Sequence, residues 1–310
     1  AGIMITASHN PPKYNGYKVY WDDGAQIVEP HADGVVDEVN AIKDLSEIKI
    51  ISEEEARSKG LIIDIGAEID DKYIETIKKE AIQTDIQGKG DFKIVYSPLQ
   101  GTGKRPVERV LKEMGFNAVY TVASQAEPDG TFPTVGYANP EEPAVFKLGI
   151  ELAEEVGATI CMANDPDADR IGIAVKDGDK WIYPNGNQVG LLLMNYILEN
   201  KKDIPANGAV ISTVVSTPML ETVAKAHGVK VYRTLTGFKY IGEKIREFET
   251  GALDGTYLFG FEESYGYLIG THARDKDAVV AVMALCEAAA YYKTQGKTLW
   301  DAMIDMYEKY

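Results

Sequence analysis

The sequence predicts an α/β protein built from similar units in tandem, and three observations carry that prediction. Two β-α-β segments with the same punctuation occur about a hundred residues apart. Short apolar runs alternate with amphipathic helical stretches throughout the chain. At 310 residues, the chain is long enough for two or three domains with ample core.

The first β-α-β segment runs from a strand at Phe92–Tyr96 through a Pro-containing loop, Ser97–Lys104, and a helix to Met114. Gly115 closes the helix, and a strand follows at Ala118–Ala123. In the second, Ala209–Val215 is a strand, Ser216-Thr-Pro218 opens a helix, Gly228 caps it and Val229–Arg233 is the return strand. Upstream, residues 31–43, 52–58 and 69–83 read as helices with charged faces. Tyr14–Ile27 reads as a hairpin around Asp22-Asp-Gly24. Gln87-Gly-Lys-Gly-Asp91 has linker composition, and a second boundary falls near Tyr183-Pro-Asn-Gly186. These boundaries give units 1–90, 91–184 and 185–310.

Composition narrows the function. Apolar content of 45% and charged content of 26% are ordinary for a globular protein. A net charge of −16 argues against nucleic acid or an anionic membrane as partner. The two cysteines, Cys161 in an apolar strand and Cys286 in an apolar helix, suggest no disulfide framework, so a cytoplasmic location is expected. No apolar run reaches the roughly 18 residues of a membrane span. The longest, Ala278–Tyr292, carries Glu287 and reads as a buried helix. The chain opens at Ala1 inside a strand-like run and reads as a piece of something longer.

The chemistry concentrates in Asp165-Pro-Asp-Ala-Asp-Arg170, after the apolar strand Ala158–Ala163. Three carboxylates on one strand-end loop repel unless a positive group sits between them, and a hard divalent cation, Mg²⁺ or Ca²⁺, suits oxygen donors. A solvated acidic turn is the alternative. An EF-hand fails by position, because Arg170 and Lys176 stand where Gly and Glu belong. Arg170 beside the acids suggests a phosphate, which binds both a cation and a guanidinium. Gly103-Lys104 is not a nucleotide-binding loop, since Pro98 and Arg105 break the pattern.

Other loops follow predicted strands, where ligands gather in α/β units. Thr6-Ala-Ser-His-Asn-Pro-Pro12 is a stiff turn bearing Ser8, and Lys18 lies on the next strand. Arg233–Lys239 and Phe259–Gly266 combine glycines with polar and aromatic residues. In the second, Glu262 and Ser264 beside aromatic rings suit a sugar's hydroxyls and apolar face. Arg274, Lys276 and Asp277 form a charged cluster before the last long helix.

Thr6-Ala-Ser-His-Asn-Pro11, Asp165-Pro-Asp-Ala-Asp-Arg170 and Phe261-Glu-Glu-Ser-Tyr-Gly266 together resemble the α-D-phosphohexomutase superfamily over nearly the whole chain. Thr236-Gly-Phe238 and Arg274-Asp-Lys-Asp277 are most similar to its bacterial α-phosphoglucomutase branch. The resemblance implies tandem three-layer α/β domains with mixed sheets. It also implies a fourth, phosphate-gripping domain and an earlier part of domain 1 that these residues do not match, so little turnover is expected of this stretch alone. By position it implies Ser8 as the phosphoserine, with His9 as a neighbouring contact and Lys18 as candidate general base. Asp165, Asp167 and Asp169 would hold Mg²⁺ with Ser8, and Arg170 would contact the phosphoryl group. Thr236 and Gly237 would sense the sugar's orientation. Glu262 and Ser264 would bind its hydroxyls, and Arg274 and Lys276 would belong to the phosphosugar cluster. The implied reaction converts glucose 1-phosphate to glucose 6-phosphate through glucose 1,6-bisphosphate.

Mannose and pentose phosphates are alternative substrates within the superfamily. Two readings from other classes are a haloacid dehalogenase-like phosphatase and a non-catalytic metal-binding module. In the phosphatase reading Asp165 would be the nucleophile and Asp167 the acid/base. Against it, Asp169 stands where that motif has Thr or Val, and the Ser8 loop would have no role.

Overall fold

A computed structural model describes residues 1–310. It contains three sheets. The first is a two-stranded antiparallel ribbon of β1 (Gly2–Ile5) and β2 (Tyr17–Tyr20). Helices α1 (His31–Ala41), α2 (Glu53–Ser58) and α3 (Ala67–Lys78) follow it.

The second sheet has five strands in the order β4-β3-β5-β6-β7: β3 (Ile94–Ser97), β4 (Val119–Thr121), β5 (Ile160–Asn164), β6 (Ile171–Asp177) and β7 (Lys180–Ile182). Its β3 pairs parallel with β4 and β5, while β5–β6 and β6–β7 are antiparallel. Helices α4 (Lys104–Glu113) and α5 (Lys147–Val156) form its crossovers. The third sheet repeats the plan in four strands, ordered β11-β10-β8-β9. They are β8 (Gly208–Thr213), β9 (Lys230–Thr234), β10 (Thr256–Glu262) and β11 (Gly266–Ile269). Here β8 is parallel to β9 and β10, and β11 is antiparallel to β10. Helices α6 (Gly186–Asn200), α7 (Met219–Ala226), α8 (Phe238–Thr250), α9 (Ala278–Thr294) and α10 (Leu299–Lys309) complete the fold. Both larger sheets are mixed, and their parallel strands aim their carboxyl ends at the loops singled out from the sequence.

Local chemistry explains the main helices. Asn185 and Gln188 form a capping box at the start of α6, and Thr298 and Asp301 form one at α10. Asp277 caps α9 by accepting from the backbone N–H groups of Val279 and Val280. Helix α9 is apolar on nearly every side and is buried accordingly. It lies in one hydrophobic core with side chains of α3, α4, α6, β5, β6, β10 and β11, so the two larger sheets share an interior. The one charge inside it, Glu287, is met by the N–H groups of Ile82 and Gln83 and by the Tyr196 hydroxyl. Cys161 and Cys286 are both free and buried. No helix is long and apolar enough to cross a membrane.

Two expectations need amendment. The hairpin over Tyr14–Ile27 forms only in short: β2 pairs mainly with β1, and the far arm adds one antiparallel bridge, Tyr20 to Gln26, flanked by Trp21 N–H to Ala25 O and Ile27 N–H to Val19 O. The apolar run at residues 1–5 pairs along the other edge of β2 and is its longer partner, which local turn chemistry cannot show. Helix α3 packs Ile74 and Ile77 into the shared core and ties to α4 through Asp71–Arg109 and Lys78–Glu113. The linker-like composition of residues 87–91 hides this tie.

Residues 1–66 contrast with the rest. Helix α1 buries no side chain, and Ile3, Ile50 and Ile63 are 69%, 86% and 80% exposed. Backbone hydrogen bonds without apolar cover open at low free-energy cost. Amide hydrogen exchange should therefore be fast throughout α1 and α2, and slowest in β5, β8, α6 and α9. Equal protection in the two groups would contradict this.

Candidate active site

The acidic loop begins where β5 ends. Asp165 is fully buried, and its Oδ1 accepts from the N–H groups of Asp169 (3.1 Å) and Arg170 (2.8 Å), which curls the loop back on itself. The turn requires Ala168 at φ +58°, a left-handed conformation unusual for alanine. A second loop seats it: Thr102 donates its N–H to Pro166 O at 2.9 Å. Gly101 is obligatory there, because a Cβ would lie 2.3 Å from Pro166 Cα.

The structure brings the Ser8 turn onto this loop. The Ser8 hydroxyl lies 3.3 Å from both Asp165 Oδ2 and Asp167 Oδ1, and 3.2 Å from His9 Nδ1. Ser8 is itself left-handed, at φ +52°, and its N–H donates to Thr6 Oγ1. Thr6 in turn donates to Asp167 Oδ2 at 3.1 Å, a tie between residues 161 positions apart that no local pattern singles out.

Two ammonium groups complete the cluster. Lys18, on β2, reaches Asp169 Oδ2 at 2.7 Å and Asp167 Oδ2 at 3.3 Å. Lys276, just before α9, reaches Asp169 Oδ2 at 3.0 Å and Asp275 at 3.3 Å. Burial works against charge on both lysines, but the aspartates outweigh it and their pKa values are raised. As placed here, Lys18 is a charged donor, and Asp169 opposes its use as a base. Burial likewise favours a neutral Asp169, yet Lys276 and Lys18 hold it down at about 2. Asp165 has no such neighbour. Burial and the charges of Asp169 and Asp167 push it well above the usual carboxylate range. Burial keeps His9 below its ordinary value, helped by Arg170.

The donor chemistry fits a hard divalent cation. One oxygen from each of Asp165, Asp167 and Asp169 lies within 4.8 Å of the others. The Ser8 hydroxyl adjoins two of them, and the buried Asp169 Oδ1 has no hydrogen-bond partner.

Arg170 keeps its Nε 3.9 Å from Asp169 Oδ1 and commits Nη1 to other parts of the fold. Its guanidinium donates to Glu141 Oε1 at 3.1 Å and to Ser264 O at 3.0 Å, while its buried Nε has no hydrogen-bond partner. Beside it, Ile171 N–H donates to Tyr265 O, and residue 170 bridges residue 266. The acidic loop is thus stitched to the turn between β10 and β11. That turn carries Glu262, which is buried and accepts the Gly237 N–H at 2.9 Å. Burial raises the Glu262 pKa, with Lys276 and the Gly237 N–H opposing. Thr236 is exposed on the same loop as Gly237. Arg274 pairs with Glu249 and leaves its buried Nη1 without a partner. With Lys18, Asp167, Asp169 and Lys276 it lines a cavity of about 450 Å³. Glu141, also unforeseen, acts through Arg170, while Glu263 accepts from Thr213 and Ser216.

The serine turn, the acidic loop and the glutamate turn therefore occupy one region where three sheets meet. Models of a single family match in order along the chain. They are phosphoglucomutase/phosphomannomutase α/β/α domain I over residues 1–46, domain II over 71–178 and domain III over 185–310. The chain belongs to the phosphoglucomutase/phosphomannomutase family, within the α-D-phosphohexomutase superfamily. A phosphoglucomutase of Staphylococcus haemolyticus is 39% identical over 312 residues, covering 100% of this chain and 55% of the relative. One from Staphylococcus epidermidis is 36% identical over 313 residues, covering 99% and 55%. The chain thus spans about half the length of the curated relatives it matches. The fold resembles a putative phosphomannomutase from Thermus thermophilus (TM-score 0.76, 24% identity, 98% of this chain and 62% of that one). It also resembles Aspergillus fumigatus N-acetylphosphoglucosamine mutase solved with GlcNAc-6P and magnesium (TM-score 0.62, 15% identity, 97% and 72%).

The buried acids make a thermodynamic prediction. A carboxyl whose pKa rises on folding contributes stability below its unfolded value of about 4, and that contribution is lost as pH rises through the folded value. Without a cation, Asp165 therefore costs stability at neutral pH. At pH 7.5, saturating Mg²⁺ should raise the melting temperature by about 3 °C or more. Asp165→Asn should raise it in the presence of a chelator and remove the response to Mg²⁺. A variant that melts lower in chelator, or still responds fully to Mg²⁺, would contradict this account.

Proposed function

We propose that this chain carries the phosphoryl-transfer and sugar-binding parts of a phosphohexomutase. That enzyme interconverts glucose 1-phosphate and glucose 6-phosphate through a phosphoserine at Ser8. The observation that carries the reading is the approach of the Ser8 hydroxyl to Asp165 and Asp167, 157 and 159 positions away, at 3.3 Å each. A hydroxyl held against an oxygen-only cation site is what a phosphoryl carrier needs. The names of the curated relatives favour glucose, and the magnesium in the Aspergillus mutase favours Mg²⁺.

In this reading Ser8, Asp165, Asp167 and Asp169 hold Mg²⁺, which when bound supplies positive charge for the phosphoryl oxygens. The chain's own residues supply the rest. His9 Nδ1 orients the serine oxygen. Lys18 and Lys276, as ammonium groups, neutralise the acids and the phosphate charge that collects beside them. Arg170 fixes the sugar turn through Ser264 O. Glu262 and Ser264 offer acceptors to sugar hydroxyls, with Thr236 and Gly237 opposite them. Arg274 and Lys276 receive the distal phosphate. Phosphoserine donates to glucose 1-phosphate, the resulting glucose 1,6-bisphosphate binds in the reversed orientation, and its other phosphate returns to Ser8. Every bond formed to phosphorus replaces one broken; the proton lost by the attacking sugar hydroxyl is balanced by the one gained at the departing serine oxygen, the return step reverses this, and the serine ends as it began.

The test is covalent. Incubation with glucose 1,6-bisphosphate and Mg²⁺ should add one phosphoryl group to the intact mass, mapped to Ser8 and stable to hydroxylamine. Ser8→Ala should add none, melt at the parent temperature and lose at least about a thousandfold in any mutase turnover. Label elsewhere, a hydroxylamine-labile adduct at Asp165, or near-normal turnover in the alanine variant would refute Ser8 as carrier.

A further inference from the structure

Glu262 ends β10 and Glu263 opens the turn after it, and the two side chains diverge. Glu262 reaches toward β9 and accepts the Gly237 N–H at 2.9 Å. Glu263 reaches the other way, across the carboxyl end of β8. Its Oε2 accepts from Thr213 Oγ1 at 2.9 Å and from Ser216 Oγ at 3.0 Å, and those hydroxyls lie 2.9 Å apart. Thr213 and Ser216 are buried at 0% and 5% exposure, so water cannot stand in freely for the carboxylate.

The loop that Glu263 grips is held from its other side as well. Arg233 donates to the carbonyls of Thr213 (2.6 Å), Ser216 (3.2 Å) and Thr217 (2.9 Å), and pairs with Glu221. Loop 213–217 therefore has its carbonyls fixed by an arginine and its hydroxyls fixed by a glutamate. The turn bearing Glu263 is backed in turn by the start of α6. A Cβ on Gly186 would lie 2.0 Å from Glu263 O, so the peptide sits flush on the helix. The turn also needs Tyr265 at φ +65°, a left-handed conformation that outside contacts must maintain.

We propose that Glu263 is a positioning residue for the sugar subsite: by clamping the Thr213–Ser216 hydroxyl pair it sets the Glu262-Glu263-Ser264 turn in register with the loops after β8 and β9. This rests on the assignment of Glu262 and Ser264 to sugar hydroxyls. Consecutive side chains then divide the work. Glu262 and Ser264 face the ligand, and Glu263 fastens the turn behind them.

The clamp needs an acceptor, not a charge, and this separates it from an acid, base or direct ligand contact. Glutamine keeps an amide oxygen where Glu263 Oε2 now sits, whereas alanine keeps nothing. In the full 310-residue chain with Mg²⁺, calorimetric titration with glucose 6-phosphate should show Glu263→Ala weakening affinity by about tenfold or more. Inorganic phosphate should bind as before, since it does not use the sugar turn. Glu263→Gln should restore glucose 6-phosphate affinity to within about threefold of the parent. Hydrogen exchange over residues 213–217 and 262–266 should accelerate in the alanine variant and return to the parent rate in the glutamine variant. Equal loss in the two variants, or unchanged exchange and affinity in the alanine variant, overturns the proposal. If the parent binds no sugar phosphate, the functional assignment fails, while the exchange comparison still decides whether Glu263 holds the turn.

Discussion

Three carboxylates on one strand end cannot be buried together without positive charge, and much of this structure answers that constraint. Two like charges 4 Å apart repel by about 4 kcal/mol at the effective dielectric of a protein surface. Neutralisation comes from far along the chain in both directions. Lys18 arrives on the β1–β2 ribbon and Lys276 from the segment that enters α9, and both close on Asp169. Asp165 is left without a cation of its own beneath the Ser8 hydroxyl. The geometry that relieves the acids therefore also assembles the site, because each neutralising group brings its own loop with it.

How much of this was legible in the sequence depends on the range of each interaction. The strands at 92–96, 158–163 and 209–215, the three N-terminal helices and α9 followed from local pattern, and the structure differs from them mostly at the ends. The acidic loop announced itself because its repulsion is local. Its partners did not. A lysine on a strand looks like any solvated lysine until the ribbon folds over Asp169. Arg170 looked like a free anion ligand because Glu141 and Ser264 O, which hold it, lie 29 and 94 positions away. The hairpin is shorter than its pattern for the same reason: the longer partner of β2, residues 2–5, lies outside the turn's own stretch.

A less visible feature is backbone strain. Each motif loop contains one residue other than glycine in the left-handed region: Ser8, Ala168 and Tyr265. Such residues cost on the order of 1 kcal/mol or more and persist only where surroundings hold them. Here the holders can be named. The Ser8 N–H is satisfied by Thr6, Ala168 O accepts from Ala278 N–H at the start of α9, and Tyr265 O accepts from Ile171 N–H. Glycine would have signalled these turns in the sequence, but side chains at these positions conceal them. Conformations fixed in advance lower the ordering cost of binding.

The loops are not anchored alike, and the difference follows the core. The acidic loop and the glutamate turn belong to sheets that share one apolar interior through α9, and backbone bonds at residues 170–171 and 265–266 join them directly. Their separation is set by packed side chains, which resist deformation. The serine turn is joined to them by Thr6–Asp167, Ser8–Asp165, Lys18–Asp169 and Tyr20–Asp275, all polar. Polar contacts of this kind depend on charge state. A phosphoryl group on Ser8 would bring negative charge to the one place where these contacts meet the acids. The ribbon's seat is therefore governed by the electrostatics of the acidic loop, whereas the spacing between that loop and the glutamate turn is governed by packing.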